Sequence, residues 1–348
     1  MNDDPKILLI RPSALGDVLR TVPVAASLRD AFPNCRLDWV VQAGFEDAVR
    51  AHPAVDSVIS FPRKALSTWW RSPKVARKTM GFFSSLANGY DMAFDMQGLG
   101  RSGLMLAASR AGRRVGFSNA REFGWIGANE RHSIPVDLHA VDRMLKLLEA
   151  SGVNPISDMT LWVPPDSEDG WSSLRMKHDI PDSYVALAPT SRWDSKQWPA
   201  ECWKGLAQKL IEEGVEKVVL LGAPGEHSEL EKIASVQSEK ICSLALESTV
   251  GISMAVVRDA SALVANDSAM LHAAVGFKTS LIGLFGPTDP GISGPYGHSE
   301  DSLRSEEAIQ SGAHYRDSGL GDRLMRGIEV DEVLNILLER VDLKSRNQ

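Results

Sequence analysis

Cysteine is scarce in this 348-residue chain. Cys35, Cys202 and Cys242 are far apart and odd in number, which excludes a disulfide framework and a Cys-x-x-Cys zinc pair. Plain packing in a reducing compartment is their expected role. Long apolar runs are missing too, and none approaches the roughly 20 residues that span a bilayer. The start, Met1-Asn2-Asp3-Asp4, is acidic, whereas an export signal needs a basic start and an apolar core. A cytoplasmic protein is expected. No Asp-x-Asp triplet occurs, so no divalent metal bridge to a diphosphate is indicated, and no metal or other cofactor is expected.

Acid is missing from one long window. Between Ser57 and Arg121 the only carboxylates are Asp91 and Asp95, against eleven Lys and Arg. The whole chain carries a net charge of −7, which argues against nucleic-acid binding. An acidic protein with one basic region fits an anionic partner on that side. Trp69, Trp70, Phe82 and Phe83 lie among these charges, a mixture that suits either helix packing or an anionic membrane surface.

What is present is an alternation of strand-like and helical runs, in a chain long enough for two domains. Strands are expected at Lys6–Arg11, Arg36–Val41, Val58–Phe61, Met92–Met96, Arg114–Phe117 and Ser133–Val136. Helices are expected near Asp17–Ala31, Phe45–Ala51 and Ala140–Ala150. The apolar runs do not alternate strictly, as befits parallel strands buried on both faces. The segment "WVPPDSEDGW", 162–171, reads as a linker between domain 1–161 and domain 172–327. Strands then recur at Tyr184–Ala188, Val218–Leu221, Ile241–Leu244, Ala262–Asn266 and Ser280–Phe285. Helices are expected at Ala200–Glu213, near Glu229–Ser235 and, on an apolar stripe, at Val330–Val341. The expected fold is α/β: two Rossmann-like doubly wound parallel sheets facing across a cleft. Ligands then sit on loops after strands.

Several loops carry chemistry. "RPSALGDVLRTVP", 11–23, puts Asp17 at the mouth of the first strand, with no Lys-Ser/Thr for a phosphate. Asp17 is either an N-cap or a lone base. "GLGRSG", 98–103, fits the dinucleotide pattern G-x-G-x-x-G, with Glu122 about 20 residues on, but follows a late strand. "APTSRWDSKQWP" supplies Thr190, Ser191 and Lys196. "LLGAPGE" places Glu226 where an acid can accept ribose hydroxyls. In "LVANDSAMLHAAVG", Asp267 and Ser268 are expected to cap a helix whose N-terminus suits an anion, with Ala269 and His272 in its first turn. "LFGPTDPG" makes a rigid turn with Gly286 and Thr288. Four such loops after strands of one sheet point to a nucleotide-diphosphate pocket.

The order of "ALGDVLRTVP", "FDMQGLGRSG", "SKQWP", "GAPGE", "NDSAMLHAA" and "GPTDPG" resembles glycosyltransferase family 9, the ADP-heptose:lipopolysaccharide heptosyltransferases, over nearly the whole chain. "LDWVVQAGF", and "GPTDPG" with "YG" behind it, are most similar to the type I branch. The resemblance implies a GT-B fold, with the closing segment 328–348 packing back on the first domain. It implies metal-independent, inverting transfer of heptose from ADP-heptose to a Kdo-lipid A type acceptor, and peripheral contact with the inner membrane. By motif, Asp17 is the base. Thr190, Ser191, Lys196, Glu226, Asp267, Ser268, Ala269, His272, Gly286 and Thr288 are the donor residues. Arg63 and Lys64 of the basic window, with Gln97 and Arg121, are expected on the acceptor side. One lone carboxylate suffices for inversion, because no glycosyl-enzyme forms. The family reads Asp-Thr-Gly where this chain has Asp267-Ser268-Ala269. An epimerase of the same fold, a nicotinamide dehydrogenase using Gly98–Gly103, and a non-catalytic sugar-nucleotide binder are the competing readings.

Overall fold

The computed structural model describes residues 4–310 and 318–340. The chain divides into two compact units, the first ending at Trp162 and the second starting at Val163. In the first, β1 (Lys6–Ile10), β2 (Arg36–Gln42), β3 (Ser57–Phe61), β4 (Met92–Asp95), β5 (Arg113–Phe117) and β6 (Glu130–His132) form one sheet, ordered β3-β2-β1-β4-β5-β6. In the second, β7 (Val185–Ala188), β8 (Val218–Leu220), β9 (Ile241–Ser243), β10 (Ala262–Asn266), β11 (Leu281–Leu284) and β12 (Ser302–Leu303) are ordered β12-β11-β10-β7-β8-β9. All pairings are parallel. Read from their own first strands, the two sheets have the same order, 3-2-1-4-5-6, that of a dinucleotide-binding half-and-half fold. The strand order reverses between β1 and β4 in the first unit and between β7 and β10 in the second. Crevices for ligands open at such points.

Central strands have no exposed side: Ile7 to Ile10 and Ala262 to Ala265 are all 0% exposed. This explains their unbroken apolar runs. The long helix expected over Asp17–Ala31 is two helices, Leu15–Leu19 and Val22–Ala31, interrupted at Arg20 and Thr21 before Pro23, which tolerates only a first helical turn. Phe45–Ala51 is a short 3₁₀ turn, Glu46–Ala48. The sixth strand lies at Glu130–His132, upstream of the expected 133–136. Much of the expected linker is helix: Pro165–Lys177 starts on a favourable first-turn proline and buries Trp171 and Leu174.

The Val330–Arg340 helix buries Val333, Leu334 and Leu337 in the core of the second unit, with Trp203, Leu206 and Leu210 of the Ala200–Glu212 helix. The expectation that its apolar face packs back on the first unit is corrected, because that face is spent here. Val341 and the tail lie outside the described residues.

The Gly98–Gly103 loop has a packing explanation. The Gly100–Ala108 helix lies directly on the Gly124–Gly127 turn. A Cβ on Gly103 would collide with the Gly124 carbonyl, one on Gly127 with the Gly103 carbonyl, and one on Gly100 would sit 2.6 Å from the Glu122 carbonyl. Glu122 Oε2 accepts the Gly100 N–H at 3.2 Å, so the acid occupies the helix start itself. The glycines make room for backbone, and the nicotinamide reading loses its motif. Gly103→Ala is expected to lower stability by about 2 kcal/mol, the usual cost of overpacking. Gly112→Ala, whose Cβ would meet its nearest atom at 3.6 Å, is expected to leave Tm nearly unchanged. Thermal melts of the two variants check this, and equal melting points would reject the packing account.

Candidate functional site

In the first unit the residues gather at the ends of β1 and β4. Asp17 is at the third position of its short helix, not the N-cap, which is Ala14. Its Oδ2 accepts the Ala14 N–H at 3.0 Å, the reach-back half of a capping box. Its Oδ1 pairs with Arg20 at 2.5 Å and Arg11 at 3.1 Å. Arg11 also donates to the Met96 carbonyl, which ties the β1 end to the β4 end. Burial raises the Asp17 pKa, but Arg11, then Arg20, then the Ala14 N–H overcome it and hold the carboxyl well below the usual carboxylate range. The stabilisation this brings is present at neutral pH and is lost as pH falls through that lowered value.

Beside it, Asp95 is buried and accepts the N–H groups of Gln97 at 2.9 Å and Gly98 at 3.1 Å, and the Ser102 hydroxyl at 2.8 Å. Burial nevertheless pushes its carboxyl up, more than these bonds and Arg11 draw it down. It organises the loop; Gln97 is the loop residue that reaches toward Ser13, at 3.4 Å. Of the other residues expected on the acceptor side, Arg63 donates to Gln42, the last residue of β2, at 3.3 Å, Lys64 is exposed, and Arg121 is exposed on a loop where its N–H donates to the Gly98 carbonyl at 2.9 Å. Sequence reasoning missed Arg11, Arg20 and Arg143. The first two were in view, flanking Asp17 in the quoted motif. Arg143, on the Ala140–Ala150 helix, stacks 4.1 Å from the Phe117 ring centroid, and nothing in the sequence marks it.

The basic stretch after β3 divides by role. Phe82 and Phe83 pack on the first unit's core, with Phe82 5.1 Å from Phe61, so packing is their function. Trp70 is 65% and Met80 69% exposed, and the Pro73–Ser85 helix buries no residue fully. The side chain of Trp69 lies outside the described residues.

In the second unit Asp267 joins three loops. Lys196 Nζ meets Asp267 Oδ2 at 2.6 Å, Thr288 donates to the same oxygen at 2.9 Å, and Ser191 donates to the Asp267 carbonyl at 3.1 Å. Thr190 donates to Glu226 at 2.7 Å, and Glu226 also accepts the Ala223 N–H at 2.6 Å. Ser268 is the N-cap of the Ala269–Phe277 helix by backbone, but its hydroxyl makes no cap bond. That hydroxyl is buried with no protein partner. The expected side-chain cap is therefore corrected, and the helix start keeps free N–H groups that an anion would satisfy. Ala269 is the first helical residue after an extended Ser268, a conformation that needs no glycine. His272 is 2% exposed and supports the helix from inside. Gly286 is also buried; a Cβ there would meet Met325 Sδ at 2.7 Å, so it makes room for a side chain.

Among the described residues, one group has the spacing of metal ligands: His298, Glu300 and Asp301. Asp301 already pairs with Arg340 and with His298 Nδ1 at 3.1 Å, which fastens the C-terminal helix. No helix of the described residues is long and apolar enough to cross a membrane.

The model of glycosyltransferase family 9 (heptosyltransferase) matches residues 80–319. Lipopolysaccharide heptosyltransferase 1 of Salmonella typhimurium LT2 is 28% identical over 312 residues, covering 87% of this chain and 95% of that protein. The solved structure of Escherichia coli heptosyltransferase WaaC with ADP-2-deoxy-2-fluoro heptose aligns with a TM-score of 0.76 at 24% identity, over 96% of this chain and 99% of that one. That of Escherichia coli ADP-heptose lps heptosyltransferase II gives 0.78 at 20% identity, over 98% and 99%. The shared fold is GT-B, and the chain belongs to glycosyltransferase family 9, the heptosyltransferases.

Proposed function

We propose that this chain moves heptose from ADP-heptose, with inversion, onto the anionic inner core of lipopolysaccharide, a Kdo-lipid A type acceptor. The observation that carries the reading is the second unit's helix start: a buried Ser268 hydroxyl without a partner, free N–H groups, and Lys196 held next to it by Asp267. That is an incomplete hydrogen-bond set which a diphosphate completes. The relatives favour transfer over epimerisation, since those at 28% identity are named heptosyltransferases.

In this reading Thr190 and Glu226 meet the ribose, while Lys196, Ser191, Ser268 and the helix start stabilise the leaving diphosphate as its charge grows. Asp17 takes the proton of the acceptor hydroxyl as that oxygen attacks the anomeric carbon. Arg63, Lys64, Gln97 and Arg121 meet the acidic acceptor. Exposed Trp70 and Met80, set among Arg71, Lys74, Arg77 and Lys78, support peripheral contact with an anionic membrane face.

ADP-heptose and ADP are expected to raise Tm, by about 2.7 kcal/mol of added stability at a hundredfold excess over Kd, and UDP- and GDP-sugars much less. Lys196→Ala is expected to remove most of that shift. A panel in which UDP-sugars stabilise best would redirect the donor assignment.

Turnover is expected to survive EDTA, because Lys196 and the helix start do the work of a metal bridge. Activity that vanishes in EDTA and returns with Mg²⁺ would refute this.

Asp17→Asn is expected to cut turnover by about 10²–10⁴-fold and leave donor affinity intact. It also leaves Arg11 and Arg20 facing a neutral amide, so about 1–3 kcal/mol of stability is expected to go with it. Turnover, donor affinity and Tm are measured together; an Asp17→Asn enzyme with near wild-type turnover removes Asp17 from the base role.

A further inference from the structure

Asp17 faces more cation than one carboxylate neutralises. The Arg11 and Arg20 side chains are 13% and 10% exposed, and both point their charge at Oδ1. Arg11 Nε is buried without a partner. From the neighbouring strand β4 comes Asp95, whose oxygens are engaged by Gln97, Gly98 and Ser102. From the Ala140–Ala150 helix comes Arg143, close enough to Arg11 and to Arg121 that both disfavour its charge, after burial. Two nearly buried guanidinium groups, Arg11 and Arg20, with half-buried Arg143 and exposed Arg121 behind them, thus face two carboxylates at one sheet end. The positive charge in excess there favours an added anion.

The arrangement is also awkward for catalysis. A base tied up by two guanidinium groups is a poor proton acceptor. Yet those same groups have donors to offer to another anion, since each guanidinium carries five N–H bonds.

We propose that Arg11 and Arg20 are positioning residues that keep the Asp17 carboxylate occupied until a carboxylate or phosphate of the acceptor binds them and draws their charge away. The inference rests on the transfer reading above. Once the acceptor anion is in place, Asp17 keeps its position through the Ala14 N–H and regains basicity. It then takes the hydroxyl proton as the hydroxyl oxygen bonds to the anomeric carbon. The anomeric carbon–oxygen bond to the diphosphate breaks, and its electron pair leaves with the diphosphate. With donor alone, Asp17 stays occupied and water is not activated. An acidic acceptor is therefore selected in turnover as well as in binding.

The test is a carboxyl titration of the intact protein carrying ¹³C-labelled aspartate, with the Asp17 signal assigned by its loss in Asp17→Asn. In the free wild type Asp17 is expected to stay ionised to the lowest pH at which the protein remains folded. In free Arg20→Gln its midpoint is expected to rise by about one unit or more. Saturating acidic acceptor with ADP present is expected to raise the wild-type midpoint similarly, and the same acceptor stripped of phosphate and carboxylate to leave it in place. In turnover, wild type is expected to favour the acidic over the stripped acceptor in kcat by about tenfold, the equivalent of one unit of basicity, and Arg20→Gln to narrow that ratio. Arg20→Lys, which keeps the charge, is expected to keep the wild-type preference; Arg11→Gln, which removes the other cation on Asp17 Oδ1, is expected to act as Arg20→Gln does and stands in if that variant does not fold. An Asp17 midpoint unmoved by Arg20→Gln, or by the acidic acceptor, overturns the proposal, as does an unchanged kcat ratio. The free-protein titration needs no turnover, so its failure counts against the clamp alone. A wild type that transfers nothing from ADP-heptose counts against the transfer reading.

Discussion

The ion pair between Lys196 and Asp267 organises the loops of the second unit's candidate site. It binds the loop after β7 to the loop after β10, at the point where the strand order reverses. Thr288 then brings in the loop after β11 through the same carboxylate oxygen. One carboxylate therefore sets the spacing of three chain segments that are far apart in sequence. Both partners are largely buried, at 16% and 9% side-chain exposure. Loss of either partner would leave a charge poorly solvated, so the loops and the charges hold one another in place.

The first unit handles charge differently. There the cations outnumber the acids, and the pairing converges on a single oxygen of Asp17. The second unit's pair is balanced and its gap is in hydrogen bonds, at Ser268 and the helix start. The first unit's gap is in charge. An anion meets both needs, but by different means: hydrogen-bond completion in one unit and neutralisation in the other.

Most of the fold was legible because its central strands are buried on both faces. Ile7–Ile10 and Ala262–Asn266 read as strands from apolar content alone. The Val250–Asp259 helix was not legible, since seven of its ten residues are buried and no polar stripe reveals a helical period. The break at Arg20 and Thr21 was hidden by apolar residues on both sides. The C-terminal helix was recognised by its stripe, but a stripe says only that a face is buried, not against what. Of the candidate site, the loops after β7, β10 and β11 could be found from residue types at strand ends. The coupling of Lys196 to Asp267 could not, because 71 residues separate them. Arg11 and Arg20 flank Asp17 in the sequence, but spacing alone does not show that two side chains converge on one oxygen.

The glycine seam between the Gly100–Ala108 helix and the Gly124–Gly127 turn has a bearing on how ligands meet this unit. Between its two sides runs the segment with Arg121, tied to Gly98 at one end, and Glu122, fixed on the Gly100 N–H. Glu122 and Phe123 both adopt left-handed backbone angles, φ 52° and 59°, which non-glycine residues rarely accept without support. Arg121 thus projects from a stiff support, and Phe123 stands 74% exposed beside it. The conformational entropy of that loop is surrendered when the chain folds, not when a ligand arrives. An anion that bound Arg121 would find much of the backbone's ordering cost already met on folding, which favours slow departure over fast capture.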